Sequence, residues 1–68
     1  MNQKDIVLNR LKKHKRGITS MQAITRYGIT RLASRIHHLR DEGHDISTTR
    51  ETNDAGKNWA RYKLVKLA

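Results

Sequence analysis

The stretch TRLASRIHH gathers Thr30, Arg31, Ser34, Arg35 and His38, and no acidic residue follows until Asp41. Leu32, Ile36 and Leu39 run through it at i, i+4 and i+7. At about 100° per residue this spacing predicts a helix with one apolar face. Thr30, Arg31, Ser34, His38 and Asp41 then point away from that face. Arg35 falls on the shoulder, where its stem can cross apolar surface while its head reaches out. A solvated helix is more often supplied with Glu and Lys, which favour helix and pair along it. A side with Arg, Ser and His suits a negative partner that offers patterned acceptors. Arg can present a two-pronged donor to guanine, and Ser can donate or accept at several base edges. The plain structural reading is that Arg31 and Arg35 are solvated, or that Arg35 pairs with Glu42 or a backbone carbonyl.

Other constellations carry less chemistry. His14, His37, His38 and His44 invite a metal reading. Adjacent His37 and His38 diverge by about 100° on a helix, and no i, i+4 His pair is present, so no metal site is expected. Ser34 and His38, at i and i+4, are the single nucleophile–base pair on offer. Nothing in the sequence suggests an oxyanion hole or enclosing pocket beside them, so neither a catalytic residue nor a cofactor is expected.

Charge is the dominant global feature. Fifteen Lys and Arg against six Asp and Glu give a formal net charge of +9 over 68 residues. Such a field draws polyanions and speeds encounter with them. The length allows one small core, so a single domain over residues 1–68 is expected. Without Cys, no disulfide framework or thiolate metal site is available. No apolar run approaches a membrane span or a secretory signal, and a soluble, cytoplasmic protein is expected.

The elements that must position these residues can be read along the chain. QKDIVLNRLKKH predicts a first helix with Val7, Leu8 and Leu11 as its stripe and Ile6 at the flank. Its last turn and the following residues hold Lys12, Lys13, Lys15 and Arg16, cations that suit the negative pole of the helix dipole. They could equally track phosphates, whereas a basic amphipathic helix on a membrane surface or in a partner groove is disfavoured because the stripe is needed for the core. Gly17 stops this helix, and Ile18 starts a short extended piece. Thr19 with Gln22 fits a Thr-x-x-Gln capping box, predicting a second helix from about Ser20 with Ala23 and Ile24 inward. Its N-terminus presents free N–H groups to an anion, which makes Thr19, Ser20 and Gln22 candidate phosphate contacts. Gly28 supplies the left-handed backbone at the end of this helix, and Thr30 is the expected N-cap of the third.

Gly43 ends the third helix, expected over about 30–42. HDISTTRE and NWARYKLV alternate as strands around the turn or mobile loop TNDAGK. Ala60, Tyr62 and Leu64 share one side of the last strand, with Trp59, Arg61 and Lys63 on the other. Trp59 is expected to pack rather than to serve a partner. The hairpin tip offers Arg50, Asn53, Lys57 and Asn58, with charge diluted by Glu51 and Asp54. The order is helix, short strand, helix-turn-helix, hairpin. This predicts a mainly α fold with a small β-hairpin (α+β): a winged helix-turn-helix of three helices and a two- or three-stranded antiparallel wing.

The match extends to particular residues. ITSMQA (Ile18 to Ala23), YGITRL (Tyr27 to Leu32), RIHHLRDEG (Arg35 to Gly43) and RYKL (Arg61 to Leu64) resemble a family of small winged helix-turn-helix domains found mainly in bacteriophages and prophages. The resemblance covers about residues 5–65. It implies a double-stranded DNA-binding protein, a phage or prophage transcriptional regulator or a factor directing excision and integration, at work on the nucleoid of a bacterial cell. Thr30, Arg31, Ser34, Arg35 and His38 would read the major groove. Lys13, Arg16, Thr19, Ser20 and Gln22 would meet the backbone, and Arg50, Asn53, Lys57 and Asn58 would act from the wing. No dimerisation helix follows the wing, so a monomer that self-associates on DNA is expected. The contrasting expectation is a protein-interaction module that seizes a host or phage protein, marked by an apolar patch near Trp59 and scattered bases.

Overall fold

The computed structural model describes residues 2–68. Helix α1 spans Gln3–Lys13 and is started by Asn2, whose side chain accepts from the backbone N–H of Asp5 at 2.9 Å. Val7 and Leu11 are buried, and Ile6 and Leu8 pack at the flank of the same stripe. Cations crowd its last turn, where the helix ends against the dipole's negative pole.

Strand β1, Ile18–Thr19, leads into helix α2, Ser20–Tyr27. The capping box forms: Thr19 Oγ1 accepts from the Gln22 backbone N–H at 3.2 Å, and Gln22 Oε1 accepts from Thr19 N–H at 3.1 Å. At the other end Gly28 is left-handed (φ 67°), and the N–H groups of Gly28 and Ile29 bond the carbonyls of Ile24 and Ala23. Ala23 is fully buried, but Ile24, expected inward beside it, is 47 % exposed. Adjacent helical residues diverge by about 100°, so pointing Ala23 at the core turns Ile24 to the flank.

Helix α3 spans Leu32–Asp41 and starts later than expected. Arg31 stands at the N-cap without a side-chain capping bond, so Thr30 is not the cap. The reason lies in Ile29, which is completely buried and whose N–H is tied to Ala23. Seating that side chain between α2 and α3 uses the residues up to Arg31 as turn. At the far end of α3, Arg40 donates to the Ile46 carbonyl and to Thr48 Oγ1, which docks the helix on strand β2, Asp45–Thr52.

Strand β3, Asn58–Lys66, completes a three-stranded antiparallel sheet in the order β1-β3-β2. Ile18 pairs with Tyr62, and Ile46 with Leu64, so the inner face of the sheet meets the helices. The core is Val7, Leu11, Ile18, Ala23, Ile29, Leu32, Ile36, Leu39 and Ile46, with Tyr62 and Leu64 packed against it. The hairpin turn is a hydrogen-bonded one. Asn53 Oδ1 accepts from the N–H groups of Ala55 and Lys57, both at 3.0 Å, and Asn53 N–H bonds the Lys57 carbonyl.

Two glycines separate backbone conformation from close approach. Gly28 has a positive φ but open space around a would-be Cβ, so Gly28→Ala should cost about 1 kcal/mol. At Gly17 (φ 73°) a Cβ would sit 1.7 Å from the Tyr62 carbonyl oxygen, part of the backbone that β1 pairs with. Gly17→Ala should therefore cost at least about 3 kcal/mol in urea unfolding. Equal losses for the two variants would refute the close-approach explanation.

Candidate nucleic-acid interface

Helix α3 presents two distinct sides. Leu32, Ile36 and Leu39 are buried, and Arg31, Ser34 and His38 are exposed with Thr30 just before the helix. His37 lies 3.4 Å from Asp41, so the acid at the end of this helix faces its own histidine. Arg35 is half-buried, as expected of the shoulder, but its partner differs. Its Nε donates to Gln3 Oε1 at 3.2 Å, and Nη1 stands 3.5 Å from His38 Nδ1. Glu42, the acid considered for it, pairs instead with Lys4 and stands 3.9 Å from His44. The Lys4 ammonium holds the Glu42 carboxyl below the usual carboxylate range. Arg35 thus lines a cleft with Asn2, Gln3, Lys4 and His38 at the start of α1.

The first turn of α2 sorts its candidates by burial. Thr19 is only 5 % exposed and its hydroxyl is taken by the cap, so Ser20, which is exposed, and Gln22 are what this helix end presents. Lys13 and Arg16 are exposed and line one pocket with Gln22. Two further residues of that pocket, Arg10 and Arg61, were not singled out in the sequence. Arg10 lies on the buried side of α1 and donates from Nε to the Gly17 carbonyl at 3.3 Å. Arg61 donates from Nη1 to the Arg16 carbonyl at 3.2 Å. A charged residue at Val7+3 on an otherwise apolar stripe was the available signal for Arg10.

Arg50, Asn53, Lys57 and Asn58 are all exposed on the wing. Asn53 spends its carbonyl oxygen on the turn, which leaves its amide NH2 outward. Glu51 dilutes the wing charge less than its sequence position implies. Its Oε1 accepts from Arg61 Nε at 2.8 Å and from Trp59 Nε1 at 2.9 Å. The bond from Arg61, assisted by that from Trp59, holds the Glu51 carboxyl below the usual carboxylate range. Trp59 is half-buried and lines an apolar groove with Thr19, Met21, Lys57 and Asn58, between the start of α2 and the base of the wing.

Sheet, turn and helix order converge with one comparison: the model of the winged helix-turn-helix domain family matches residues 2–67. The chain belongs to that family. No curated protein and no solved structure matches it. Membership makes DNA the partner that this winged helix-turn-helix domain points to. Among the described residues, no group of three or more His, Cys, Asp or Glu could hold a metal ion, and no helix is long and apolar enough to cross a membrane.

The Glu51 network has a pH signature. A carboxylate whose pKa is lowered by folding stabilises the fold above its unfolded value, near 4.5, and loses that contribution as pH falls through the folded value. Glu51→Gln should lower the melting temperature at pH 7, and the difference from wild type should shrink below pH 4. A gap that stays constant from pH 7 to pH 3 would show that the charge on Glu51 contributes nothing.

Proposed function

We propose that this winged helix-turn-helix domain binds double-stranded DNA, with α3 in the major groove and the wing against the flanking backbone or minor groove. The observation that carries the reading is the exposed Arg31, Ser34 and His38 side of α3, opposite Leu32, Ile36 and Leu39. Its chemistry suits base edges, and the net charge of +9 supplies the attraction to phosphate. Ser20 and Gln22 at the start of α2 meet the backbone, and Arg50 and Lys57 act from the wing. A unit of this size meets one half-site, so selectivity comes from self-association or neighbouring copies on the DNA. In a bacterial cell carrying a phage or prophage, such a protein acts as a transcriptional regulator or directs excision and integration by occluding or bending a site. Binding of this kind calls for no catalytic group and no cofactor.

A specific observation favours a second reading, a module that seizes a host or phage protein. The groove between Met21 and Trp59 is apolar, and Met21 is 67 % exposed.

Fluorescence anisotropy of a labelled random-sequence duplex across a salt series separates the two. Neutralising about six to eight phosphates gives a log–log slope of about −5 to −7. At a selected site, Arg31→Ala should cost about 1–3 kcal/mol, and it should cost less on random DNA. Affinity no better than that of any equally basic protein would overturn DNA reading and turn attention to the Met21–Trp59 groove.

A further inference from the structure

The pocket beneath the α1–β1 turn is chemically one-sided. Arg10, Lys13, Lys15, Arg16 and Arg61 converge on it with Gln22, no acidic residue lines it, and its volume is about 310 Å³. Arg10 is only 9 % exposed, yet it lines this space. Its bond to the Gly17 carbonyl uses Nε and leaves the terminal guanidinium donors for the pocket. Gln22 is oriented by the capping box: Oε1 faces Thr19 N–H, so the amide NH2 is the group left to offer. Arg61 is held by Glu51 on one side and the Arg16 carbonyl on the other. Holding a turn explains a bond from each arginine. Lys13, Lys15 and Arg16 are neighbours in the chain at the cation-favouring end of α1, and the fold adds Arg10 and Arg61 beside them with no acid in the lining. Ammonium, guanidinium and amide donors with no carboxylate in the lining, two of the arginines held by bonds to backbone carbonyls, are the chemistry of a phosphate seat.

We infer that this pocket holds a phosphate group, supplied by the DNA backbone that passes the start of α2. The source rests on the DNA-binding reading above, whereas the phosphate chemistry rests on the pocket. Bound phosphate bridges α1, the turn, α2 and β3, and so fixes the helix-turn-helix against one point of the duplex.

The test pairs two measurements on the full chain. Lys13→Gln with Arg16→Gln removes two exposed cations whose side chains hold no part of the fold described above, and a thermal melt checks that the fold survives. Arg26→Gln with Lys66→Gln is the charge-matched control outside the pocket. On random duplex the pocket variant should make the salt slope shallower by about one unit and weaken low-salt binding about tenfold. The control should change both less. Separately, inorganic pyrophosphate is titrated while NMR follows the Arg10 and Arg61 Nε–H and Gln22 amide signals. In wild type these signals should shift and saturate, and in the pocket variant they should not. Saturable shifts without duplex binding would retain the phosphate seat and overturn DNA as its source. Duplex binding with identical slopes for pocket variant and control, or shifts no larger than those of Arg26, would overturn the seat while leaving the DNA reading intact.

Discussion

The crossing of Gly17 over strand β3 is the constraint on which the rest of this small domain depends. The backbone there approaches the Tyr62 carbonyl so closely that no side chain fits. Arg10 holds the Gly17 carbonyl from one side, and Arg61 holds the Arg16 carbonyl from the other. That clamp delivers Ile18 into the core and Thr19 into register with Arg61. Thr19 is at once the last residue of β1 and the N-cap of α2. Sheet pairing therefore sets where the helix-turn-helix begins, and the wing and the two helices are referred to a single point. A shift at this turn would move the start of α2 relative to β3.

A core this small leaves little freedom elsewhere. Leu32, Ile36 and Leu39 are all committed to it, which fixes the rotation of α3 about its axis. The Arg31, Ser34 and His38 side is thereby aimed outward without any residue assigned only to aiming it. Arg40 locks the translation of the same helix through the Ile46 carbonyl and Thr48. Rigid presentation of this kind suits groove reading, because side chains on a fixed helix reach base edges without first ordering a loop.

The distribution of charge follows the same economy. Three of the six acids are paired with basic side chains: Glu42 with Lys4, Asp41 with His37, Glu51 with Arg61. They quiet particular cations and leave Arg31, Arg50, Lys57, Lys13 and Arg16 on the exposed surface. The apolar side chains of Met21 and Trp59 lie between the start of α2 and the wing, beside Lys57. Their position means that a duplex crossing from α2 to the wing would meet an apolar surface as well as charge.

Local signals in the sequence were enough for the element order, the capping box at Thr19 and Gln22, the left-handed Gly28, and the apolar stripe of α3. Each depends on residues within a turn or two of one another, so spacing alone carries it. The hairpin and its side-chain alternation were legible for the same reason. Other features needed the folded chain. The late start of α3 follows from burying Ile29 against two helices, and the outward turn of Ile24 from giving Ala23 the inward place. Arg35 finds Gln3 across 32 positions, and Arg61 finds the Arg16 carbonyl across 45. No helical or strand period relates such partners. The basic pocket is assembled from α1, a turn, α2 and β3, and it exists only once the sheet has closed. Which residues lie on a face is set by local periodicity; which cations share a site is set by long-range packing, because charge can be concentrated only where separate elements are held together.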